Sequence, residues 1–146
     1  MEYRATLSKE GRRTLIAFED CPGCVTFSDR SADVPARARD ALEGWLEAHL
    51  VTGDVPPMPS RVARKLRRAE LAVRISPLLA VRLQIRWARR ERSLSQGDLG
   101  KLLGVSRQQI ALLEAPDGNP TIRTLERAAA ALGLELAIEL RSPRAA

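Results

Sequence analysis

Residues 94–114 read LSQGDLGKLLGVSRQQIALLE, and this stretch decides how the C-terminal half of the chain folds. Two glycines stand four residues apart: Gly100, where two short helices would touch, and Gly104, at a turn that needs a positive φ. Ser95 and Ser106 each precede a helical pattern and are candidate N-caps. Apolar residues at the matching spacing would face inward: Leu99, Leu103, Val105, Ile110 and Leu113. The spacing predicts two short helices joined by a tight turn, the helix-turn-helix arrangement.

Over residues 78–134, the sequence resembles the Cro/C1-type repressor family, and the motif residues above carry that resemblance. In this family the second helix of the motif enters the major groove of DNA, and its first residues read base edges. The resemblance therefore implies sequence-specific binding of double-stranded DNA. The DNA-binding residues that it implies by position are Gln96, Ser106, Arg107, Gln108, Gln109 and Arg123.

These residues divide into base readers and phosphate contacts. The candidate readers are Arg107, Gln108 and Gln109: arginine suits guanine and glutamine suits adenine, because each side chain can make two hydrogen bonds to that base edge. The family places a phosphate-contacting glutamine at the position of Gln96, and Arg123 begins the next helix as a second phosphate contact. Gly100 departs from the family, which usually has alanine there; the glycine should cost about 1 kcal/mol of helix propensity.

The resemblance also assigns roles beside the first turn of the reading helix. Leu112 lies further along the same exposed face, and Arg89 with Glu114 fill the positions of a structural ion pair. The remaining arginines of the preceding helix are interpreted as a solvated face that raises non-specific DNA affinity. They are Arg82, Arg86, Arg90 and Arg92.

The N-terminal half alternates apolar and polar residues over short segments, which is the period of half-buried strands. The segments with this pattern are residues 3–7, 14–18, 25–27 and 71–75. Between the third and the fourth, apolar residues recur every three or four positions from Ser31 or Asp33 to about Leu50, which predicts a helix. A proline-rich stretch at residues 55–60 then stiffens the connection.

The order of these elements predicts an α+β fold. Residues 1–76 would form a layer in the order βββαβ, and residues 77–140 an otherwise all-α helix-turn-helix domain. The last segment, Leu134–Leu140 (LELAIEL), alternates strictly and is predicted to be a terminal β-strand. Residues 141–146 would be a tail.

Charge is divided unevenly along the chain. Residues 1–60 contain seven Lys and Arg against ten Asp and Glu, a net charge of −3, whereas residues 61–146 carry a net charge of +9. A general preference for arginine would explain why arginine outnumbers lysine, but not why the net charge changes sign. The basic half suits a nucleic-acid partner, and the acidic half suggests a different one. The low aromatic content, 3%, argues against stacking platforms for single-stranded nucleic acid.

The N-terminal half resembles the HicB antitoxin family. The resemblance rests on Tyr3 in the first strand, FEDCPGC at residues 18–24, the helix that follows and VPPMPS at residues 55–60. It implies a partial ribonuclease-H-like layer, and an antitoxin that binds a HicA-like mRNA-cleaving toxin and represses its own operon. The carboxylates that could contact this toxin are Asp20, Asp29 and Asp33, for each of which an ordinary surface or capping role is the competing interpretation.

The partners predicted are therefore a HicA-like toxin and an operator of double-stranded DNA in the form of an inverted repeat. Because one motif covers one half-site, we expect a homodimer, with a tetramer as the alternative. Pairing of residues 134–140 between two chains could build it. The competing function is a stand-alone transcriptional regulator whose N-terminal domain dimerises or senses a ligand.

Cys21 and Cys24 form a CxxC pair, which could indicate zinc binding or thiol redox chemistry. A structural zinc site needs four ligands, and the sequence offers no second pair and a single histidine, His49, on the apolar face of the predicted helix. We interpret the cysteines as part of a turn and His49 as a packing residue. The sequence thus predicts no metal, no cofactor and no catalytic residues; a thiol oxidoreductase is the alternative.

The cysteine content, the N-terminal residues and the hydrophobic runs bear on the compartment. Two cysteines, no recognisable export signal and no apolar run of 18 residues predict a cytoplasmic protein without a membrane partner.

Overall fold

The computed structural model describes residues 1–60 and 65–140. Its elements in chain order are β1 (Glu2–Glu10), β2 (Arg13–Phe18), β3 (Val25–Ser28), α1 (Val34–Thr52, after a 3-10 turn at Ser31–Asp33), β4 (Glu70–Arg74), α2 (Pro77–Glu91), α3 (Gln96–Leu103), α4 (Arg107–Glu114) and α5 (Ile122–Ala131). The predicted tail, residues 141–146, lies outside the described residues. Among the helices described, none is both long enough and apolar enough to cross a membrane.

The four strands form one antiparallel sheet in the order β3-β2-β1-β4. Their alternation places one set of side chains inward; Tyr3 of β1 pairs with Val73 of β4, and both are buried. Ala38, Leu42 and Leu46 of α1 pack in the same core. The predicted order βββαβ of an α+β fold is confirmed. A relationship to the ribonuclease H layer stays a prediction.

Helix α2 belongs to two hydrophobic cores. Leu79, Leu83 and Trp87 pack with the sheet and α1, whereas Ile85 and Ala88 pack with the residues of α3, α4 and α5. Neither core can be completed without this helix. The sheet unit (β1–β4 with α1) and the helical unit (α3–α5) therefore meet along a shared, rigid element.

The proline-rich stretch after α1 is also fixed to the sheet and to α2. The Tyr3 hydroxyl donates to the carbonyl oxygen of Pro57 (3.1 Å), and the Trp87 indole N–H donates to that of Pro56 (2.7 Å). Burial raises the pKa of the Tyr3 phenol, so the group remains protonated and able to donate throughout the physiological range.

The prediction of a terminal β-strand at Leu134–Leu140 is wrong for the chain by itself, because these residues have no regular secondary structure. A strand needs a neighbour for its backbone N–H and C=O groups, and the described strands all belong to the N-terminal sheet, whose pairings do not include this segment. Leu136 packs partly buried against the helical core, whereas Ile138 and Leu140 are 60% and 97% exposed. The segment alternates apolar and polar residues as a strand does, but none of the described strands pairs with it.

Cys21 and Cys24 are free thiols buried in the core of the sheet unit. The Cys24 thiol donates to the carbonyl oxygen of Ala41 at 3.6 Å. Burial, with the nearby charges of Cys24 and Asp20, raises the pKa of Cys21 to about 12, and burial raises the pKa of Cys24 to about 11. No cluster of three or more His, Cys, Asp or Glu that could hold a metal ion occurs in residues 1–60 or 65–140. The two cysteines are small packing residues of the core.

We expect both thiols to resist alkylation in the folded protein. At pH 8, a thiol with its pKa raised to about 11 is ionised roughly a hundredfold less than an unperturbed cysteine. The rate of iodoacetamide incorporation, followed by mass spectrometry in buffer and in urea, should differ by at least about 100-fold. Rapid modification of the native protein, or disulfide exchange that Cys21→Ser abolishes, would instead support the oxidoreductase alternative.

Candidate nucleic-acid interface

Reciprocal hydrogen bonds start both α3 and α4. The Ser95 hydroxyl accepts from the Asp98 backbone N–H (3.0 Å), and the Asp98 carboxylate accepts from the Ser95 N–H (3.0 Å). Ser106 and Gln109 repeat the arrangement, with the hydroxyl accepting from the Gln109 N–H (3.2 Å) and Gln109 Oε1 accepting from the Ser106 N–H (2.9 Å). Hydrogen bonds from Ser95 hold the pKa of Asp98 below its usual value. Each helix begins after the serine that the sequence predicted as its N-cap.

The turn between α3 and α4 depends on two glycines. Gly104 ends α3 with a φ of 68°, in the left-handed region that favours glycine. At Gly100, a Cβ would stand 2.7 Å from the carbonyl oxygen of Val105, so α3 contacts the turn backbone directly there. The predicted inward residues are buried at Leu99, Ile110 and Leu113 and half-buried at Leu103 and Val105. The predicted helix-turn-helix is confirmed.

The outward side of α4 presents the predicted base readers. Arg107, Gln108 and Gln109 are exposed, and Leu112 is 55% exposed one turn beyond Gln108. Within the part of the chain that the structure describes, Arg107 and Gln108 have no hydrogen bond or ion pair, so both side chains are available to a ligand. Gln109 differs, because its Oε1 already accepts from the Ser106 N–H and only its amide nitrogen is left to donate.

The starts of α3 and α5 border α4 on two sides. A cleft of about 180 Å³ between α4 and α5 is lined by Leu112 and Thr124 among others. A second cleft, of about 490 Å³, includes Gln96 and Ala111 in its lining. Arg123 is exposed in the first turn of α5. Of the two predicted phosphate contacts, Gln96 therefore lies beside Ala111 of α4, and Arg123 precedes Thr124, which borders Leu112.

Glu114, the last residue of α4, is a fully buried carboxylate with four donors. Arg89 donates to Oε1 at 2.6 Å and to Oε2 at 2.7 Å. Arg86 Nε and Gln96 Nε2 each donate to Oε2 at 3.2 Å. Burial alone would raise the pKa of Glu114, but the hydrogen bond and charge of Arg89, the hydrogen bond of Gln96 and the charge of Arg86 hold it below its usual value. The Arg89–Glu114 pair is structural, as predicted.

Arg86 connects this carboxylate to the sheet unit. Its two terminal nitrogens donate to the carbonyl oxygens of His49 (3.3 Å), Leu50 (3.0 Å) and Asp54 (2.9 Å). The carbonyls in the last turn of a helix have no helical N–H to accept from, and this end of a helix attracts positive charge. One guanidinium therefore caps α1 and holds the end of α4.

The interpretation of Arg82 and Arg86 as a solvated helix face is wrong, since each is 3% exposed. Arg82 donates to the carbonyl oxygens of Pro116 (2.8 Å) and Gly118 in the turn after α4. Burial lowers the pKa of both guanidiniums. Arginines one turn apart resemble an exposed face in sequence, and their acceptors lie more than 25 residues away, so no local pattern could reveal their burial. Arg90, by contrast, is exposed.

The three candidate toxin-binding carboxylates lie in the segments before and after β3. Asp20, in the turn before β3, accepts from the backbone N–H of Ser60 at 2.9 Å and so fixes the proline-rich stretch. Asp29, after β3, forms an exposed ion pair with Arg13 at 2.8 Å. Asp33 precedes α1 and is exposed. The structure therefore places Asp29 and Asp33 beyond one end of β3 and Asp20 beyond the other.

Parts of this chain are similar to known proteins. The Helix-turn-helix family model matches residues 85–138, a stretch that includes α3, α4 and α5. No curated protein sequence matches the chain. Among solved structures, a chain from a structure titled "HicA3 and HicB3 toxin-antitoxin complex" is similar with a TM-score of 0.47 and 23% identity; the match covers 53% of this chain and 100% of that chain.

We expect Gly100→Ala to destabilise the protein, although alanine gains about 1 kcal/mol of helix propensity. The added methyl would stand 2.7 Å from the Val105 carbonyl oxygen, a backbone atom that cannot move without opening the turn. The free energy of unfolding, measured by urea denaturation, should fall by about 1–3 kcal/mol. Gly97→Ala is the matched control, because its Cβ would meet only the Ser95 hydroxyl at 3.5 Å. A Gly100→Ala variant as stable as wild type would contradict the close approach.

Proposed function

We propose that this protein represses its own operon by binding a specific operator, and that its sheet unit neutralises a HicA-like mRNA-cleaving toxin. The observation that carries the DNA-binding part is the outward side of α4, where Arg107 and Gln108 are exposed and unpaired within the described residues. The far end of the same helix is fixed at Glu114 by buried hydrogen bonds. A rigid helix with free donors in its first turn is what base reading in the major groove requires.

In this proposal, the polar residues of the interface contact either base edges or phosphates. Arg107 pairs with a guanine edge and Gln108 with an adenine edge, each through two hydrogen bonds. Gln96 gives one amide hydrogen to Glu114 and keeps the other for a phosphate oxygen, so it links the DNA backbone to the end of α4. Arg123 adds positive charge at the start of α5, where a helix also favours phosphate.

The operator would be an inverted repeat bound by two copies of the chain, because one reading helix covers one half-site. The segment after α5 offers the contact between copies. Leu134, Ile138 and Leu140 are 40%, 60% and 97% exposed, and Leu136, between the first two, is partly buried against the helical core. Antiparallel pairing of two such segments would satisfy the backbone groups along one edge of each and cover the exposed side chains. The assembly would be a homodimer, or a tetramer made of two such dimers.

The antitoxin part rests on the resemblance of the N-terminal half to HicB proteins and on its charge. Residues 1–60, which include β1 to β3 and α1, carry a net charge of −3 that suits a basic partner, whereas residues 61–76 carry +5. Because α2 completes both cores, a toxin bound to the sheet unit would be held at a fixed position relative to α4. Such a protein would act in the cytoplasm, where its operator and the toxin's mRNA substrates are found.

A stand-alone regulator that senses a small ligand is the second candidate, and one observation favours it. An open cleft of about 580 Å³ lies between the start of β1, the proline-rich stretch, α2 and the segment after α5. Met1, Met58 and Trp87 give it an apolar lining. Ligands bind in clefts of this size with such linings.

We expect Arg107→Ala and Arg123→Ala to weaken operator binding in different ways. Loss of a base reader should remove about 1–3 kcal/mol of discrimination at one base pair of each half-site. Loss of a phosphate contact should weaken binding to all sequences and reduce the slope of log K against log salt by about 1 for each chain. Fluorescence anisotropy with the operator and single-base variants at several salt concentrations measures both. Arg37→Ala, at an exposed arginine of α1, is the control. Equal losses on all sequences for Arg107→Ala would remove its role as a reader.

We expect the chain to co-purify with a short basic protein, of under about 100 residues, encoded beside its gene. Expression of that neighbour alone should arrest growth and degrade mRNA, and co-expression of this chain should restore both. Arg107→Ala should rescue growth as well as wild type does, since the sheet unit is unchanged. If the chain purifies alone and does not rescue growth, the antitoxin role fails while the DNA-binding role stands.

A further inference from the structure

Leu112 is the apolar exception on the reading side of α4. It is 55% exposed, whereas the next residue, Leu113, is buried in the helical core. Gln108 lies one turn before it, and the exposed Gln109 lies beside both. Single exposed leucines are ordinary on a protein surface, so exposure by itself means little. What distinguishes Leu112 is its position on the same exposed side of α4 as the proposed base readers.

Contacts with the segment that follows α4 hold the backbone at Leu112 in place. The Leu112 carbonyl oxygen accepts from the Ala115 N–H at 3.3 Å, and Gly118 packs against it so closely that a Cβ at 118 would overlap that oxygen. Gly118 in turn is fixed by the buried Arg82, which donates to its carbonyl oxygen. A leucine on such a backbone cannot withdraw from the surface by fraying of the helix end.

The chemistry of the major groove leaves one partner for an apolar side chain at this place. Every base edge there presents hydrogen-bond donors and acceptors, which leucine cannot pair, and only thymine adds an apolar group, its 5-methyl. Four residues of helix rise about 6 Å, more than the spacing of about 3.4 Å between base pairs, so Leu112 reaches a different base pair from the one that Gln108 reads. We infer that Leu112 contacts the methyl group of a thymine in each half-site and thereby selects thymine at that position. The inference rests on the proposed DNA-binding function.

The test uses duplexes that differ by this methyl group alone. The preferred duplex of the full chain is first selected from a random pool, and each thymine of one half-site is then replaced by uracil. For wild type, one replacement should weaken binding about fourfold, the effect of about one buried methyl group. Leu112→Ala should bind the thymine duplex about fourfold or more weakly than wild type does, and should show no loss at the same replacement.

Two further variants make the result specific. Leu102→Ala removes a leucine that is 61% exposed on α3, and it should keep the full uracil effect. Leu112→Gln, which can form hydrogen bonds, should shift the preferred base at this position away from thymine. Helical content by circular dichroism verifies that each variant is folded.

The outcomes separate this inference from the function on which it rests. If wild type prefers no duplex sequence, the proposed DNA reading itself fails. If it has a preferred duplex but no uracil replacement weakens binding, or Leu112→Ala loses affinity at the same replacement as wild type does, the thymine contact is wrong and the DNA reading stands. If Leu112→Ala lowers the molecular mass of the DNA-free protein measured by sedimentation, this leucine contacts a second copy of the chain instead of DNA.

Discussion

Burial of one carboxylate, that of Glu114, constrains the arrangement of most helices. An ionised group without water needs partners for all its charge, and Arg89, Arg86 and Gln96 supply them from α2 and α3. Each donor is therefore fixed relative to the end of α4. Breaking such a pair by removing one partner is strongly destabilising, because the remaining charge stays buried. The same hydrogen bonds hold Gln96 where α3 begins.

Arg86 extends this constraint to the sheet unit. It completes the hydrogen bonding at the end of α1 while it contacts Glu114, and Trp87 on the same helix is bonded to the proline-rich stretch. Two units with separate cores are thus docked through polar groups as well as through apolar packing. Movement of α1 could not occur without a change at the buried carboxylate. This is the physical basis on which one unit could influence the other.

The sequence predicted the features that depend on residues close together in the chain, namely caps, turns and the alternation of strands. Ser95 and Ser106, with the glycine spacing, gave both helices of the motif, because caps and turns are local. The order of the elements along the chain, βββαβ, followed from alternation and from the turn residues between the segments. The sequence could not predict the burial of Arg86, whose acceptors are remote. The bond between Gln109 and Ser106 was missed although it is local, because a serine followed three residues later by glutamine is the pattern of a capping box. Residues 134–140 had the alternation of a strand, but a strand is a property of a pair.

The sharing of α2 limits how this protein could have been assembled from parts. If recombination attached a different module after α2 that had no carboxylate at the position of Glu114, two guanidiniums, those of Arg86 and Arg89, would be left buried without a counter-charge. If the exchange instead included α2, the end of α1 would lose the donor to its last carbonyls. At either junction the recombined protein would lose stability, because buried polar groups would lack partners. The two halves are therefore expected to be inherited together, and changes of operator preference to arise by point substitution on α4.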